Sequence, residues 1–261
     1  MFEISQTAYQ KKWSVFAMSV PIFVEIGLQM LVPNMDQFML SHYSQQSVAA
    51  VGNDNMIVNM IILTLSVLSQ AATILIAHYR GSGDIRGASR VCSVSLALNL
   101  VLGALISIIL FACHDFFLRL LGIPAEIWED AALYLRWIGL FIVVQSAYMA
   151  FISFLRGFGL LKETMICSSL MNVLNICGNM ILIHGLGPVP SLGVAGVCLS
   201  TNTAKVLGLL LVIRFLHKKT PLRLSLAHLR PFPKKTLGRL LYLGIPSAGE
   251  TFSYKLSQTT L

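Results

Sequence analysis

The chain has 261 residues, 56% of them hydrophobic and 11% charged, where a soluble domain carries roughly 25% charged residues. Its formal charge is +8 and its mean hydropathy +0.75. A soluble fold of this size does not bury that much apolar surface, so the solvent is lipid, and the basic excess reads as orientation in a membrane rather than as nucleic-acid binding.

Residues 1–12 are polar, and the apolar run that follows is too long for the core of a cleavable signal. Six apolar runs reach the about 20 residues that a helical crossing needs. They lie near 14–41, 48–78, 90–112, 131–155, 164–184 and 193–215. A seventh begins near 237 and is cut at Leu261. Open strands cannot satisfy their backbone groups in lipid. The expected fold is therefore all-α: a polytopic membrane protein with a six-helix transmembrane bundle plus a truncated seventh helix.

The basic residues set the orientation. Lys11 and Lys12 precede the first run, Arg80, Arg86 and Arg90 follow the second, and Arg156 and Lys162 follow the fourth. After the sixth come Arg214, Lys218, Lys219, Arg223, Arg230, Lys234, Lys235 and Arg239. The opposite side holds Arg119 and Arg136. An excess of Lys and Arg marks the cytoplasmic side, so a cytoplasmic N-terminus in the cell membrane is expected.

Pro21-Ile22-Phe23-Val24-Glu25 recurs as Pro246-Ser247-Ala248-Gly249-Glu250, and each copy follows a Lys-Lys pair. This points to a duplicated bundle whose second copy has only begun. The expected organisation is an N-terminal six-helix lobe over 1–215, a basic cytoplasmic linker over 216–236 with Pro221, Pro231 and Pro233, and the start of a second lobe over 237–261. The whole would be a twelve-helix, two-lobe protein, with the missing second lobe as a partner of the first.

Glu25, Gln29 and Asp36 share one face of the first helix, together with Pro21 and Pro33. A charged carboxylate inside the bilayer costs about 3 kcal/mol or more, so it persists where it faces protein or water. There it can take a proton or bind a cation. Pro33, just before Asp36, permits a bend and is a candidate hinge. Asp54, with Asn55 and Asn59, lies at a similar depth in the second helix, as do Asn175 and Asn179 in the fifth and Thr201 in the sixth. Oxygen-bearing side chains gathered at one depth can coordinate a hard cation or relay a proton. Asn and Thr also serve as ordinary interhelical hydrogen-bonding groups, and Asp54 can instead sit close to water. Lys205, one turn beyond Thr201, needs a carboxylate partner, a watery cavity or a route to the interface. Glu250, by its repeat relation to Glu25, suggests a symmetric role.

Other chemistry finds little support. The five cysteines form no CxxC pair and read as small core residues. The six histidines fall mostly near helix ends, without HExxH, and no metal site is expected beyond a possible Na+ at Asp36. Arg80-Gly81-Ser82-Gly83-Asp84 lacks the GK[ST] of a phosphate loop and reads as a tight turn. Without HExxH or GxSG no enzyme is expected, and no cofactor.

Several segments together resemble the multidrug and toxic compound extrusion (MATE) transporters. They are Arg80-Gly81-Ser82-Gly83-Asp84, Leu120-Leu121-Gly122-Ile123-Pro124 with Ala132-Leu133-Tyr134-Leu135, and Phe154-Leu155-Arg156-Gly157-Phe158-Gly159 with Lys162. Asn172 through Asn179 and Leu192-Gly193-Val194-Ala195-Gly196-Val197 complete the set, in family order. The resemblance implies an ion-coupled antiporter with two six-helix lobes, exporting organic, often cationic or amphipathic, compounds in exchange for H+ or Na+. It maps the family's first-lobe cation site onto Asp36, Asn175, Asn179 and Thr201. The second of the paired positions is often an aspartate in relatives and is Asn179 here. Glu25, Gln29, Asp54, Lys205 and Glu250 stand as further substrate or coupling candidates. The rival expectations are a lipid-linked oligosaccharide flippase of the same superfamily and a helical membrane protein without transport activity.

Overall fold

The computed structural model describes residues 15–185, 190–222, 224, 234, 236–244 and 249, without the side chains of 15–19, 29 and 30. Among the described residues the helices in chain order are α1 (Val15–Ser41), α2 (Gln45–Gly81), α3 (Ile85–Leu120), α4 (Trp128–Leu140), α5 (Ile142–Gly157), α6 (Leu161–His184) and α7 (Gly193–Lys219), and residues 236–244 are helical as well. Among the described residues α2, α3, α6 and α7 are long and apolar enough to cross a membrane, and α4 with α5 forms a fifth, bent crossing. Helix α1, with 27 residues, exceeds the length a crossing needs. Helices α2 and α3 have 37 and 36 residues. At 1.5 Å per residue each is about 55 Å long, so they project beyond the about 30 Å of hydrocarbon.

The turns follow from their residues. Ser44 caps α2 by accepting a hydrogen bond from the Ser47 amide, and Asp84 caps α3 by accepting from the Gly87 amide at 2.8 Å. Gly83 and Gly159 take the left-handed backbone that closes the α2–α3 and α5–α6 turns, at φ 76° and 71°.

Two departures from regular helix were not visible in the sequence. The single crossing expected over 131–155 is broken at Phe141, and α4 and α5 meet at 45°. The amide of Val143, freed at the start of α5, donates to Ser107 Oγ of α3 at 3.1 Å. A neighbouring helix thus supplies the acceptor that lipid cannot. Helix α3 kinks at Cys113. By contrast α1 runs as one helix through both Pro21 and Pro33.

The interior falls into two apolar clusters. One, around Ile76, Cys92, Phe154, Leu155, Val212 and Leu216, lies toward the α2–α3 and α5–α6 turns. The other, around Leu40, Val51, Leu135, Ile138, Ile183 and Cys198, lies toward the opposite end. Small residues let the backbones approach. A Cβ at Gly196 of α7 would stand 2.6 Å from the carbonyl oxygen of Leu182 in α6, and one at Gly178 would meet Ser200.

Helix α1 is tied to the rest by charge. Glu25 is 5% exposed, and its Oε1 accepts from Arg156 Nη2 at 2.6 Å and from Ser168 Oγ at 3.0 Å. Ser168 in turn lies 3.3 Å from the Tyr148 hydroxyl. Arg156, read from the sequence only as an orienting charge, is thus the counter-ion of a buried acid. A second pair joins Lys219 at the end of α7 to Glu163 at the start of α6.

Two stability changes are expected. Arg156→Ala strands a buried carboxylate and should lower unfolding free energy by about 3 kcal/mol, most of it recovered when Glu25→Gln is added. Thermal melts of the purified protein in detergent check this, and an unchanged melt for Arg156→Ala would contradict the clamp. Gly196→Ala forces α6 and α7 apart and should cost about 1–3 kcal/mol in the same assay; an unaltered melt would show that the helices have room.

Candidate functional site

The candidate residues meet where α1, α6 and α7 converge. Asn179 Nδ2 donates to Asp36 Oδ1 at 2.6 Å. One turn along α6, Asn175 Nδ2 donates to Thr201 Oγ1 of α7 at 3.0 Å. Ser200 Oγ donates to the Asn175 carbonyl oxygen at 2.7 Å, which fixes α7 against α6 at this level. Asn175 and Asn179 are buried, whereas Asp36 and Thr201 are half-buried. All four residues singled out from the sequence for a cation site therefore sit in one group, linked as two hydrogen-bonded pairs.

The donor inventory of this group is uneven. Both Asn amide nitrogens are used, but the side-chain oxygens of Asn175 and Asn179 are buried without a hydrogen-bond donor among the described residues. Together with the Asp36 carboxylate and the Thr201 hydroxyl they supply a set of oxygens suited to a hard cation or to a proton relay.

Helices α1 and α6 are held in register at two depths. Glu25 meets Ser168 and Asp36 meets Asn179, with the same spacing along both helices. The two helices thus run parallel, with polar contacts about three turns apart. The shared face of Glu25 and Asp36 is turned toward α6. Gln29 lies between them on α1, but its side chain is outside the described residues, as is Glu250.

Lys205 stands one turn beyond Thr201 on α7 and is half-buried. Among the described residues it forms no ion pair within 4.0 Å, so the direct carboxylate partner considered from the sequence is not there. It interacts with Asp36 electrostatically at longer range. Asp54 does not sit close to water: it is fully buried in α2. Its neighbour Asn55 accepts a hydrogen bond from the Tyr134 hydroxyl of α4 at 2.9 Å. Tyr134 interacts electrostatically with both Asp36 and Asp54. The roles of Tyr134, Ser200 and Arg156 were missed in the sequence. Tyr134 stood inside a recognisable segment, but nothing there distinguishes it from packing aromatics, and the other two depend on helix pairing.

The comparisons with known proteins agree on one family. The chain is 40% identical over 248 residues to "Uncharacterized transporter YisQ" of Bacillus subtilis, covering 95% of this chain and 54% of the relative. It is 28% identical over 240 residues to "Probable multidrug resistance protein NorM" of Thermotoga maritima, covering 91% of this chain and 51% of that protein. The chain spans about half the length of the curated relatives it matches. Among solved structures, a MOP superfamily transporter from Pyrococcus furiosus superposes with a TM-score of 0.83 at 27% identity, covering 93% of this chain and 53% of that one. Residues 21–181 match the MatE family, and with more than half of its length matched the chain belongs to that family, the multi-pass multidrug and toxic compound extrusion transporters.

Proposed function

We propose that this chain forms the cation-coupling lobe of a secondary active antiporter that exports organic, often cationic, compounds in exchange for H+ or Na+. The observation that carries this reading is the Asp36–Asn179 contact at 2.6 Å inside the bundle, beside the Asn175–Thr201 pair. The multidrug resistance name of the Thermotoga maritima relative supports the substrate class.

The chemistry follows from the site. An anionic Asp36 in a low-dielectric bundle is costly unless a positive charge reaches it. A proton or Na+ arriving there removes that cost, and Na+ can in addition draw on the oxygens of Asn175 and Asn179. The Lys205 ammonium, close enough to act on Asp36, offers a weaker, built-in counter-charge when the ion has left. Ion binding therefore changes the relative stability of lobe arrangements by its difference in affinity for them, which is the only way a ligand shifts such an equilibrium. Pro33 lies within a turn of Asp36 and lacks a backbone donor, so α1 bends there at lower cost than elsewhere. The exchange partner occupies a cavity between this lobe and a second one, and the basic loops face the cytoplasm of the cell.

Efflux of a fluorescent organic cation from cells expressing the protein tests the assignment. Asp36→Asn should reduce cation-driven efflux to the level of cells without the protein, while undiminished transport would reject the site. Pro33→Ala should slow efflux while leaving cation binding at Asp36 intact; loss of binding in that variant would show that the proline shapes the site rather than the bend.

A further inference from the structure

Asp54 is the most isolated ionisable group in the described protein. It is 0% exposed, and neither carboxylate oxygen has a hydrogen-bond partner among the described residues. Its location explains the isolation. The nearest phenol, Tyr134, commits its proton to Asn55 Oδ1 at 2.9 Å and so does not serve Asp54. The other buried acids are paired: Glu25 has Arg156 and Ser168, and Glu163 has Lys219. The ionisable groups on the helices packed against α2 are Glu25 and Asp36 on α1, Arg86, Arg90, Cys92, Cys113, His114, Asp115 and Arg119 on α3, Glu129, Asp130, Tyr134 and Arg136 on α4, Tyr148 and Arg156 on α5, and Cys198, Lys205, Arg214, His217, Lys218 and Lys219 on α7. Asp130 is engaged by Ser47, His114 lies beside Asp115, and Tyr148 faces Ser168. Among the described residues none of these cations forms an ion pair with Asp54 within 4.0 Å.

A carboxylate enclosed in this way is tolerated when a cation neutralises it. A metal cation needs a shell of several ligands, and no group of three or more His, Cys, Asp or Glu side chains that could hold one forms among the described residues. A proton needs no shell. We infer that Asp54 is a proton-binding site of this lobe, separate from the group at Asp36. It extends the antiporter reading with a second exchangeable charge in the same lobe, on a helix that contributes nothing to the Asp36 group. Deprotonation of Asp54 requires water or a cation to enter between α2, α4 and α7, so its proton leaves in a different arrangement of these helices from the one described.

Infrared difference spectroscopy of the purified chain in lipid nanodiscs, titrated from acid to alkaline pH, measures this without transport. The wild type should show a protonated-carboxyl C=O component that Asp54→Asn loses and Asp36→Asn retains. Asp54→Glu should move that component to a different frequency rather than remove it, which keeps the assignment testable if the Asn variant misfolds. Spectra of Asp54→Asn or Asp54→Glu identical to wild type would overturn the inference. Bleaching of the component by Na+ at fixed pH would also overturn it, in favour of a metal cation. Because the Asp36 component and the efflux assay are read separately, failure at Asp54 leaves the antiporter reading standing, and loss of that reading leaves a proton at Asp54 measurable.

Discussion

A carboxylate inside a bilayer has to be answered by protein, and helix α1 carries two of them on one face. That constraint fixes the lobe. Glu25 is met by Arg156 and Ser168 near one end, and Asp36 by Asn179 toward the other. Because Ser168 and Asn179 repeat the spacing of Glu25 and Asp36, α1 cannot slide along α6 by a turn without stranding both acids. Leu40 is buried at the end of α1, but along the rest of the helix Phe23, Leu31 and Phe38 are 73%, 60% and 60% exposed and face away from the bundle. The two contacts differ in kind. Arg156 brings a full positive charge to Glu25 and makes a lasting clamp, whereas Asn179 brings a neutral amide to Asp36 and leaves its charge open to compensation. Two acids of one helix are thus distinguished by their partners.

The rest of the site depends on how closely α6 and α7 approach. Gly178 and Gly196 remove the side chains that would hold those backbones apart. The resulting contact places Ser200 against the Asn175 carbonyl and Thr201 against the Asn175 amide. The side-chain oxygens of Asn175 and Asn179 meet no donor among the described residues. Close packing and chemistry are therefore one arrangement: the small residues that give van der Waals contact in lipid also collect the polar groups of three helices at one depth.

Much of this was legible in the sequence because lipid makes patterns simple. Apolar runs gave the crossings, matching depth grouped Asp36, Asp54, Asn175, Asn179 and Thr201, and the family resemblance singled out Asp36, Asn175, Asn179 and Thr201, which the fold does bring together. What escaped was whatever depends on which helix faces which. Arg156 looked like a loop charge because its partner Glu25 is distant in sequence. The break at Phe141 carries no Pro or Gly at the break itself, and it is sustained by Ser107 of another helix. For Asp54, near a helix start, the sequence left a position close to water open, yet the fold buries it completely. Depth is a one-dimensional property and survives in sequence, whereas azimuth and tertiary pairing do not.

The central claim is that occupancy of Asp36 by a small cation changes the stable arrangement of the lobe. Distances between spin labels on the outer ends of α1 and α7, in a cysteine-free background in nanodiscs, address it directly by pulsed electron resonance. The account predicts a distance distribution that shifts between low and high cation activity in the otherwise native protein and no longer responds in Asp36→Asn. A distribution indifferent to the cation, or one that shifts equally without the carboxylate, would contradict it.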